Sequence, residues 1–212
     1  MFAWITPMTA LAGLLLLVGC SRQNTASPDA VGAPAQPAPS VDPYRAGVVE
    51  EAAAGRSPFT GQMAPDFTLV NQSDQPVALS TQRGRWVVLY FYPKDDTPGC
   101  TCQATEFTSL LKNFRDMNAE ILGVSEDTPA SHRAFAAKYY LALTLLSDPD
   151  HRVMESYGAW VTSGTGANRY GRLIRTTFII DPSGVIRYHW PEVIPEGHAE
   201  RVRQKLAQLQ GQ

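Results

Sequence analysis

The chain has 212 residues, of which 44% are hydrophobic, and a formal net charge of −2. No basic patch stands out, so the sequence lacks the electrostatic signature of a nucleic-acid-binding protein. Its length fits one folded domain with appendages. Its three cysteines are too few for a disulfide scaffold, so each needs its own explanation.

Residues 1–19 form an apolar leader, and its last three residues and the next one read Leu17-Val18-Gly19-Cys20. This ending resembles the lipobox of bacterial lipoproteins, in which the cysteine is lipidated and becomes the new N-terminus. The leader departs from the usual pattern because no Lys or Arg precedes its apolar segment. An uncleaved anchor is the alternative, since a spanning helix needs about 20 apolar residues. Both arrangements predict a protein held in the cell envelope, facing the periplasm or the exterior.

Residues 20–57 are rich in proline and alanine and contain a single aromatic residue, Tyr44. Such a segment buries too little apolar surface to offset the entropy lost on ordering. Its composition favours extended, semi-stiff conformations. We therefore predict a disordered tether that joins the leader to a folded domain at residues 58–212.

The hydrophobic pattern of the domain alternates between strands and helices. Residues 85–92, "RWVVLYFY", are typical of a strand buried on both faces, and apolar residues at helical spacing predict one amphipathic helix over 99–117. The other predicted elements, in chain order, are strands at 66–70 and 119–125, a helix after Thr128, a strand at 143–146, a helix at 151–157, a glycine-rich loop at 162–171, a hairpin of 173–181 and 185–190, and a helix at 197–209. This order predicts an α/β fold with a mixed sheet flanked by helices.

Two cysteines, Cys100 and Cys102, stand one residue apart in "PKDDTPGCTCQATEF". They could hold a metal, form a redox pair, or serve as one reactive thiol with a supporting neighbour. Cys100 falls in the first turn of a predicted helix, where unpaired N–H groups and the helix dipole favour a thiolate. Cys102 lies about 200° further around the same helix, so an intact helix keeps the two sulfurs apart.

The stretch "YPKDDTPGC" resembles the active-site signature of peroxiredoxins: a proline, a threonine four residues later, and a cysteine three residues beyond it. In this sequence those positions are Pro93, Thr97 and Cys100. "GVSEDTPASHRAFAAKYYLALTLLSD" and "IRTTFIIDPSG" resemble the bacterioferritin-comigratory, or Q-type, branch of that family. The resemblance covers roughly residues 60–210 and implies a thioredoxin-like fold.

The resemblance also implies an activity and a set of roles. Members reduce hydrogen peroxide and organic hydroperoxides with electrons from a thiol, so we expect a thioredoxin-like protein or a small thiol as donor, no cofactor and no metal. Cys100 would attack the peroxide and become a sulfenic acid. Thr97, Arg175 and backbone N–H groups would stabilise the developing charge, and Pro93 would shield the pocket. Arg172 lies near enough in sequence to be mistaken for Arg175.

The chain departs from the family at the second cysteine. Members of this branch that form an internal disulfide usually carry it five residues after the first, where this chain has Thr105. Cys102 is therefore a possible resolving cysteine or a bystander. Gln103 occupies a position where the family often has Glu or Gln. Monomers are common in the branch, and we expect a monomer.

Two other functions use the same cysteines. A membrane-tethered copper carrier would bind soft Cu(I) through sulfur. The thioredoxin-like copper carriers that this chain could resemble have a longer spacing between their two cysteines. The four histidines of this chain also form no close ligand pair in sequence. A thioredoxin-like dithiol oxidoreductase would place two residues between its cysteines. We therefore expect a peroxidase, with these two functions as the alternatives.

Overall fold

The structure is a computed structural model and describes residues 57–163 and 170–211. The predicted leader, Cys20, most of the predicted tether and the tip of the predicted glycine-rich loop lie outside these ranges. No helix within them is both long and apolar enough to cross a membrane.

In the described ranges the strands form two sheets with the order β2-β1-β5-β4-β3-β8-β9 and β6-β7. The strands are β1 (Thr68–Asn71), β2 (Pro76–Ala78), β3 (Trp86–Phe91), β4 (Ala119–Ser125), β5 (Thr144–Ser147), β6 (Trp160–Ser163), β7 (Tyr170–Leu173), β8 (Thr176–Ile180) and β9 (Ile186–Trp190). The α-helices are α1 (Pro98–Ser109), α2 (Leu111–Asp116), α3 (Pro129–Tyr139), α4 (Arg152–Ser156) and α5 (His198–Leu209).

The central strand β3 explains the continuous apolar run seen in the sequence. Parallel β4 pairs with one of its edges and antiparallel β8 with the other. Val88 and Tyr90 point into one buried core, which α1, α3 and α5 cover, whereas Val87, Leu89 and Phe91 point into a second core on the opposite face. Because successive strand side chains alternate between faces, a strand with a buried core on each face is apolar at every position; the second core includes Val153 and Met154 of α4.

The predicted helix over 99–117 is two helices, because the chain breaks at Leu110 between α1 and α2. The hydroxyl of Ser109 donates to the carbonyl of Glu106 at 2.7 Å, which already accepts from the N–H of Leu110 at 3.2 Å. Local side-chain bonds of this kind compete with the helical ladder. The prediction of one continuous helix was therefore wrong.

The predicted glycine-rich loop at 162–171 also needs correction. Its flanks belong to β6 and β7, which pair from Trp160↔Leu173 to Ser163↔Tyr170. A Cβ atom on Gly171 would lie 2.3 Å from the indole of Trp160, so this position needs a residue without a side chain. The hairpin ends at Leu173, two residues before Arg175.

The loops that follow β3 and β4 lie at the same edge of the sheet, because the two strands are parallel. The first loop joins β3 to α1, and the second joins β4 to α3. The helix start predicted after Thr128 is confirmed, since Thr128 accepts a side-chain hydrogen bond from the N–H of Ser131 and Pro129 occupies the first turn. The carboxyl edge of the sheet therefore brings together two predicted helix starts.

A buried histidine fixes the start of the domain to the last strand. The hydroxyl of Thr176 donates to the carbonyl of Trp190 at 2.6 Å, so it accepts from Nε2 of His189 at 2.7 Å. Nδ1 of His189 then accepts from the hydroxyl of Ser57 at 2.6 Å. Both ring nitrogens are satisfied by a neutral imidazole, and burial lowers the pKa of His189 to about 4.

The depressed pKa of His189 predicts a loss of stability in acid. An unfolded histidine takes up a proton near pH 6.5, whereas folded His189 does so only near pH 4. The unfolded state therefore binds more protons between these values, and His189 should lower the free energy of unfolding by up to about 3 kcal/mol as the pH falls from 6.5 to 4. Urea unfolding across this range checks the slope.

His189→Gln should flatten that part of the pH profile, since glutamine does not titrate. His151→Gln is the matched control, because His151 is partly exposed and pairs with Glu126. Equal pH slopes in the wild type and His189→Gln would contradict the assignment.

Candidate active site

Cys100 lies in the first turn of α1, the helix that follows β3. Thr97 is the N-cap residue of α1, with extended backbone, and Pro98 occupies the first turn. The N–H of Thr101 donates to the carbonyl of Thr97 at 2.8 Å, which closes the first helical turn. Cys100 is thus the third residue of the helix, as the sequence predicts. Its thiol is free, and only 2% of the residue is exposed.

Arg175 reaches Cys100 from the other side of the site. Its Nη2 lies 3.2 Å from the sulfur of Cys100, and its Nη1 donates to Oε1 of Gln103 at 2.7 Å. Gln103 is completely buried on α1, so it holds the guanidinium in a fixed orientation. A cation at this distance stabilises negative charge on the sulfur and on an oxygen bound to it. Arg172, by contrast, is exposed on β7.

The main chain of Arg175 is fixed as well. Its carbonyl accepts from the N–H of Val193 at 3.0 Å, in the segment that joins β9 to α5. The same segment brings Pro195 over the first turn of α1, where a Cβ atom on Gly99 would lie 3.2 Å from Pro195 and 3.5 Å from Nη2 of Arg175. Glycine at position 99 therefore allows the proline and the guanidinium to approach the helix start closely.

Thr97 contributes a hydroxyl beside the helix start. Its Oγ1 donates to the carbonyl of Lys94 at 3.1 Å, so its proton is engaged within the protein. The oxygen lone pairs remain able to accept a hydrogen bond from a bound molecule, so in this conformation Thr97 is an acceptor and not the predicted donor to developing negative charge. Pro93 is exposed at the start of the loop, and its predicted role in shielding the thiol stays a prediction.

A buried aromatic residue, Tyr90, packs with Cys100 in the first core. Its ring stacks on that of Tyr92, with the ring centroids 5.5 Å apart, and packs at a tilt against Phe107, with the centroids 5.0 Å apart. Burial raises the pKa of Tyr90 far above its usual range, and negative charge on Cys100 and Asp95 raises it further. Tyr90 therefore stays a neutral phenol beneath the site.

Cys102 occupies a different environment from Cys100. It is 6% exposed, and its sulfur lies 3.6 Å from Oε1 of Glu106. That carboxylate also accepts from the N–H of Gly197 at 2.8 Å, which connects α1 to the start of α5. Burial raises the pKa of Glu106 above its ordinary value.

Several contacts at the site were missed or underrated from the sequence. Gln103 was noted only as a position where the family often has Glu or Gln, yet it is the partner of Arg175. Asp95 and His132, which form a buried pair at 2.9 Å, were not singled out. The only local signal was the acidic pair "DD" just before the Thr-Pro-Gly-Cys motif, since acidic side chains often bond to the backbone in such turns.

The surroundings of Cys100 are not those of a metal-binding site. The polar group that bonds the sulfur of Cys100 is the guanidinium of Arg175, which is a donor to an anion rather than a metal ligand. Within residues 57–163 and 170–211, no cluster of three or more His, Cys, Asp or Glu is placed to hold a metal ion.

Comparison with known proteins agrees with this geometry. The profile of the AhpC/TSA family matches residues 60–189. A putative peroxiredoxin Bcp from Coxiella burnetii is 42% identical over 146 residues, which cover 69% of this chain and 97% of that protein. The chain is a peroxiredoxin of the AhpC/TSA family. Peroxiredoxin Bcp from Bacillus subtilis is 36% identical over 149 residues, covering 70% of this chain and 95% of that one.

The solved structures place the chain in the same branch. The bacterioferritin comigratory protein of Xanthomonas campestris superposes with a TM-score of 0.64 at 34% identity, over 68% of this chain and 91% of that one. Peroxiredoxin Q from the same organism superposes with a TM-score of 0.63 at 35% identity, over 66% and 89%. The predicted Q-type resemblance and the thioredoxin-like fold of this peroxiredoxin are confirmed.

Proposed function

We propose that this peroxiredoxin is a thiol-dependent peroxidase that reduces hydrogen peroxide and organic hydroperoxides through a sulfenic acid on Cys100. The contact that carries the proposal is the 3.2 Å approach of Arg175 Nη2 to the sulfur of Cys100. The Xanthomonas campestris relative has alkyl peroxide reduction activity, which supports an organic hydroperoxide as one class of substrate.

The first step follows from the positions of these groups. The Cys100 thiolate attacks one peroxide oxygen with a sulfur electron pair, and the O–O bond breaks as the S–O bond forms. Sulfur is oxidised by two electrons, and the other oxygen leaves as an alkoxide or hydroxide that takes a proton from solvent. Arg175 and the N–H groups at the start of α1 stabilise the charge that develops on both oxygens. Thr97, whose own proton is donated to Lys94, accepts the hydrogen bond of the peroxide O–H.

An external thiol completes the cycle. One thiol displaces water from the sulfenic acid to form a mixed disulfide, and a second thiol releases Cys100 as the other is oxidised to a disulfide. A thioredoxin-like protein or a small thiol can supply these two thiols. We also infer that the enzyme works as a monomer. A resolving role for Cys102 remains a prediction: its sulfur lies beside Glu106, so a bond to Cys100 requires the first turn of α1 to unwind. Helix ends open at little cost.

Cys100→Ser should abolish peroxide turnover and leave the fold intact, because serine replaces the nucleophile without changing the shape of the helix start. Peroxide consumption with a thiol reductant and circular dichroism measure the two properties. Retention of most of the turnover would overturn the proposed function. Mass spectrometry after stoichiometric peroxide shows what happens to Cys100. If Cys100 keeps one added oxygen in both the wild type and Cys102→Ser, Cys102 is a bystander.

Arg175→Lys should slow the reaction of Cys100 with peroxide by roughly 10²–10³-fold, which corresponds to about 3–4 kcal/mol of transition-state stabilisation. Lysine lacks the planar fork that lets arginine bond Gln103 and the sulfur together. Stopped-flow measurement of the second-order rate constant tests this expectation. Arg172→Lys is the control, since Arg172 is exposed, and a loss below about threefold for Arg175→Lys would count against the role.

We further propose that the enzyme is a lipoprotein of the cell envelope, anchored through Cys20 after removal of residues 1–19 and held off the membrane by residues 20–57. The support is the sequence Leu17-Val18-Gly19-Cys20 and the proline-rich composition behind it. Lipidated, the catalytic domain would meet peroxides at the membrane surface, on the periplasmic or exterior side.

Metabolic labelling with a fatty acid should mark the wild-type protein and fail on Cys20→Ala, because only the cysteine thiol accepts the lipid. Mass spectrometry of the mature N-terminus provides the second measurement. A labelled Cys20→Ala protein, or a mature chain that still begins at Met1, would instead indicate an uncleaved anchor.

A further inference from the structure

The loop between β3 and α1 is held against α3 by side chains that the peroxide chemistry does not use. Lys138 bonds both carboxylate oxygens of Asp96 at 2.7 and 2.8 Å, and the hydroxyl of Tyr139 donates to the same carboxylate at 2.6 Å. Asp96 has a positive φ of 58°, a conformation that a non-glycine residue adopts at a cost. These outer contacts lie at the surface, and a second set lies beneath them.

The inner set converges on the carboxylate of Asp95, which is 7% exposed. Its Oδ1 accepts from the hydroxyl of Tyr92 at 2.7 Å. Its Oδ2 accepts from the hydroxyl of Ser131 at 2.7 Å and lies 2.9 Å from Nδ1 of His132. A buried carboxylate is stable only when bonds of this kind replace its lost hydration.

The proton positions follow from this arrangement. Burial alone would raise the pKa of Asp95, but the bonds from His132, Ser131 and Tyr92 outweigh it and hold that pKa below its ordinary value. Asp95 is therefore ionised and accepts, so Nδ1 of His132 carries a proton and donates. Nε2 of His132 is buried and has no hydrogen-bond partner in the part of the chain that the structure describes. The contribution of His132 to this cluster thus comes from one nitrogen.

The peptide group between Lys94 and Asp95 connects this cluster to Thr97. Its N–H, from Asp95, donates to Oδ2 of Asp127 at 2.8 Å. Its C=O, from Lys94, accepts from Oγ1 of Thr97 at 3.1 Å. Asp127 is itself held by the hydroxyl of Ser125 at 2.8 Å. Because the peptide group is planar and rigid, the hydrogen bond from its N–H to Asp127 also fixes the direction of its C=O, and that C=O fixes the hydroxyl of Thr97.

We propose that Asp95, His132 and Asp127 are positioning residues for the peroxide reaction: they fix the Lys94–Asp95 peptide group and thereby aim the hydroxyl of Thr97 at the bound peroxide. The inference rests on the proposed peroxidase function. None of the three touches the sulfur. Their effect passes through the single hydrogen bond from Thr97 to the carbonyl of Lys94.

The first test replaces His132 by two residues of similar shape. The amide N–H₂ of asparagine can occupy the place of Nδ1 and donate to Asp95, whereas leucine cannot. His132→Leu should slow the oxidation of Cys100 by peroxide roughly 10–10²-fold, since small displacements of groups that orient a substrate cost this much. His132→Asn should restore most of the rate, because the unpartnered Nε2 is dispensable.

A general loss of structure is separated from positioning by a second reaction of the same thiol. Alkylation of Cys100 by iodoacetamide needs an accessible thiolate but no hydrogen bond to the hydroxyl oxygen of Thr97. The proposal therefore expects His132→Leu to change the alkylation rate by less than about threefold while the peroxide rate falls. Parallel losses in both rates would show a merely structural role and overturn the proposal. Ile186→Ala, in the second core, supplies a destabilised control that leaves this loop untouched.

A double-mutant cycle with Thr97→Val provides the decisive measurement. If His132 acts through Thr97, adding His132→Leu to Thr97→Val should slow the peroxide reaction by less than about twofold, because the hydroxyl it orients is already gone. Additive losses would overturn the positioning role and leave the peroxidase function standing. The assignment of Thr97 itself fails if Thr97→Val reacts with peroxide at the wild-type rate.

Asp127 is tested by the same cycle. Asp127→Ala should lose peroxide reactivity in the wild-type background and little in the Thr97→Val background, since it bonds the other end of the same peptide. Glu126→Gln is the adjacent control, because Glu126 pairs with His151 instead. Wild-type peroxide reactivity in Asp127→Ala would contradict the route through the Lys94–Asp95 peptide.

Discussion

The chemistry of this peroxiredoxin depends on keeping a guanidinium beside a buried sulfur. Arginine is always charged, and a cation away from water is costly unless its donors are satisfied. Here one nitrogen of Arg175 contacts the sulfur of Cys100, another bonds the buried amide of Gln103, and the carbonyl of the same residue is held by Val193. The charge is thus available where a peroxide oxygen becomes negative, and it needs little reorganisation when the reaction occurs.

The fold supplies that arrangement through the order of its strands. Because β3 lies between parallel β4 and antiparallel β8, the end of β3 and the start of β8 lie at the same edge of the sheet. The end of β3 leads to Cys100, and the residue before β8 is Arg175. Parallel β4 ends at this edge too, and it brings Asp127 to the same loop. Three separate parts of the sequence therefore converge without a long insertion.

The two sides of the site differ in how they are held. On the Arg175 side, Pro195 lies over the first turn of α1, and Gly197 donates to Glu106. On the Thr97 side, the carboxylates of Asp95 and Asp127 hold the loop to α3 and to the end of β4 by accepting from several donors. The hydrogen bonds of the side chain and N–H of Asp95 involve the ends of β3 and β4 and helix α3 rather than α1.

The sequence by itself determined most of the elements and the candidate nucleophile, Cys100. The apolar run of β3, the cap at Thr128 and the start of α1 depend on neighbours a few residues away, so spacing alone predicts them. Cys100, Thr97 and Arg175 were predicted from motifs typical of the Q-type branch, and the structure brings Arg175 to Cys100 across 75 residues. The break at Leu110 was missed because a serine hydroxyl competes with the helix there, which helical periodicity does not reveal.

Only the tertiary structure decided which polar residues serve the site. Gln103 is one of many glutamines on helices until the sheet register places Arg175 opposite it, and His132 is an ordinary histidine until α3 packs over Asp95. The hydrogen bonds of these residues join segments 37 to 72 positions apart. Such contacts depend on how strands pair and helices pack, which local sequence spacing does not encode, so the supporting residues became visible only in the folded chain.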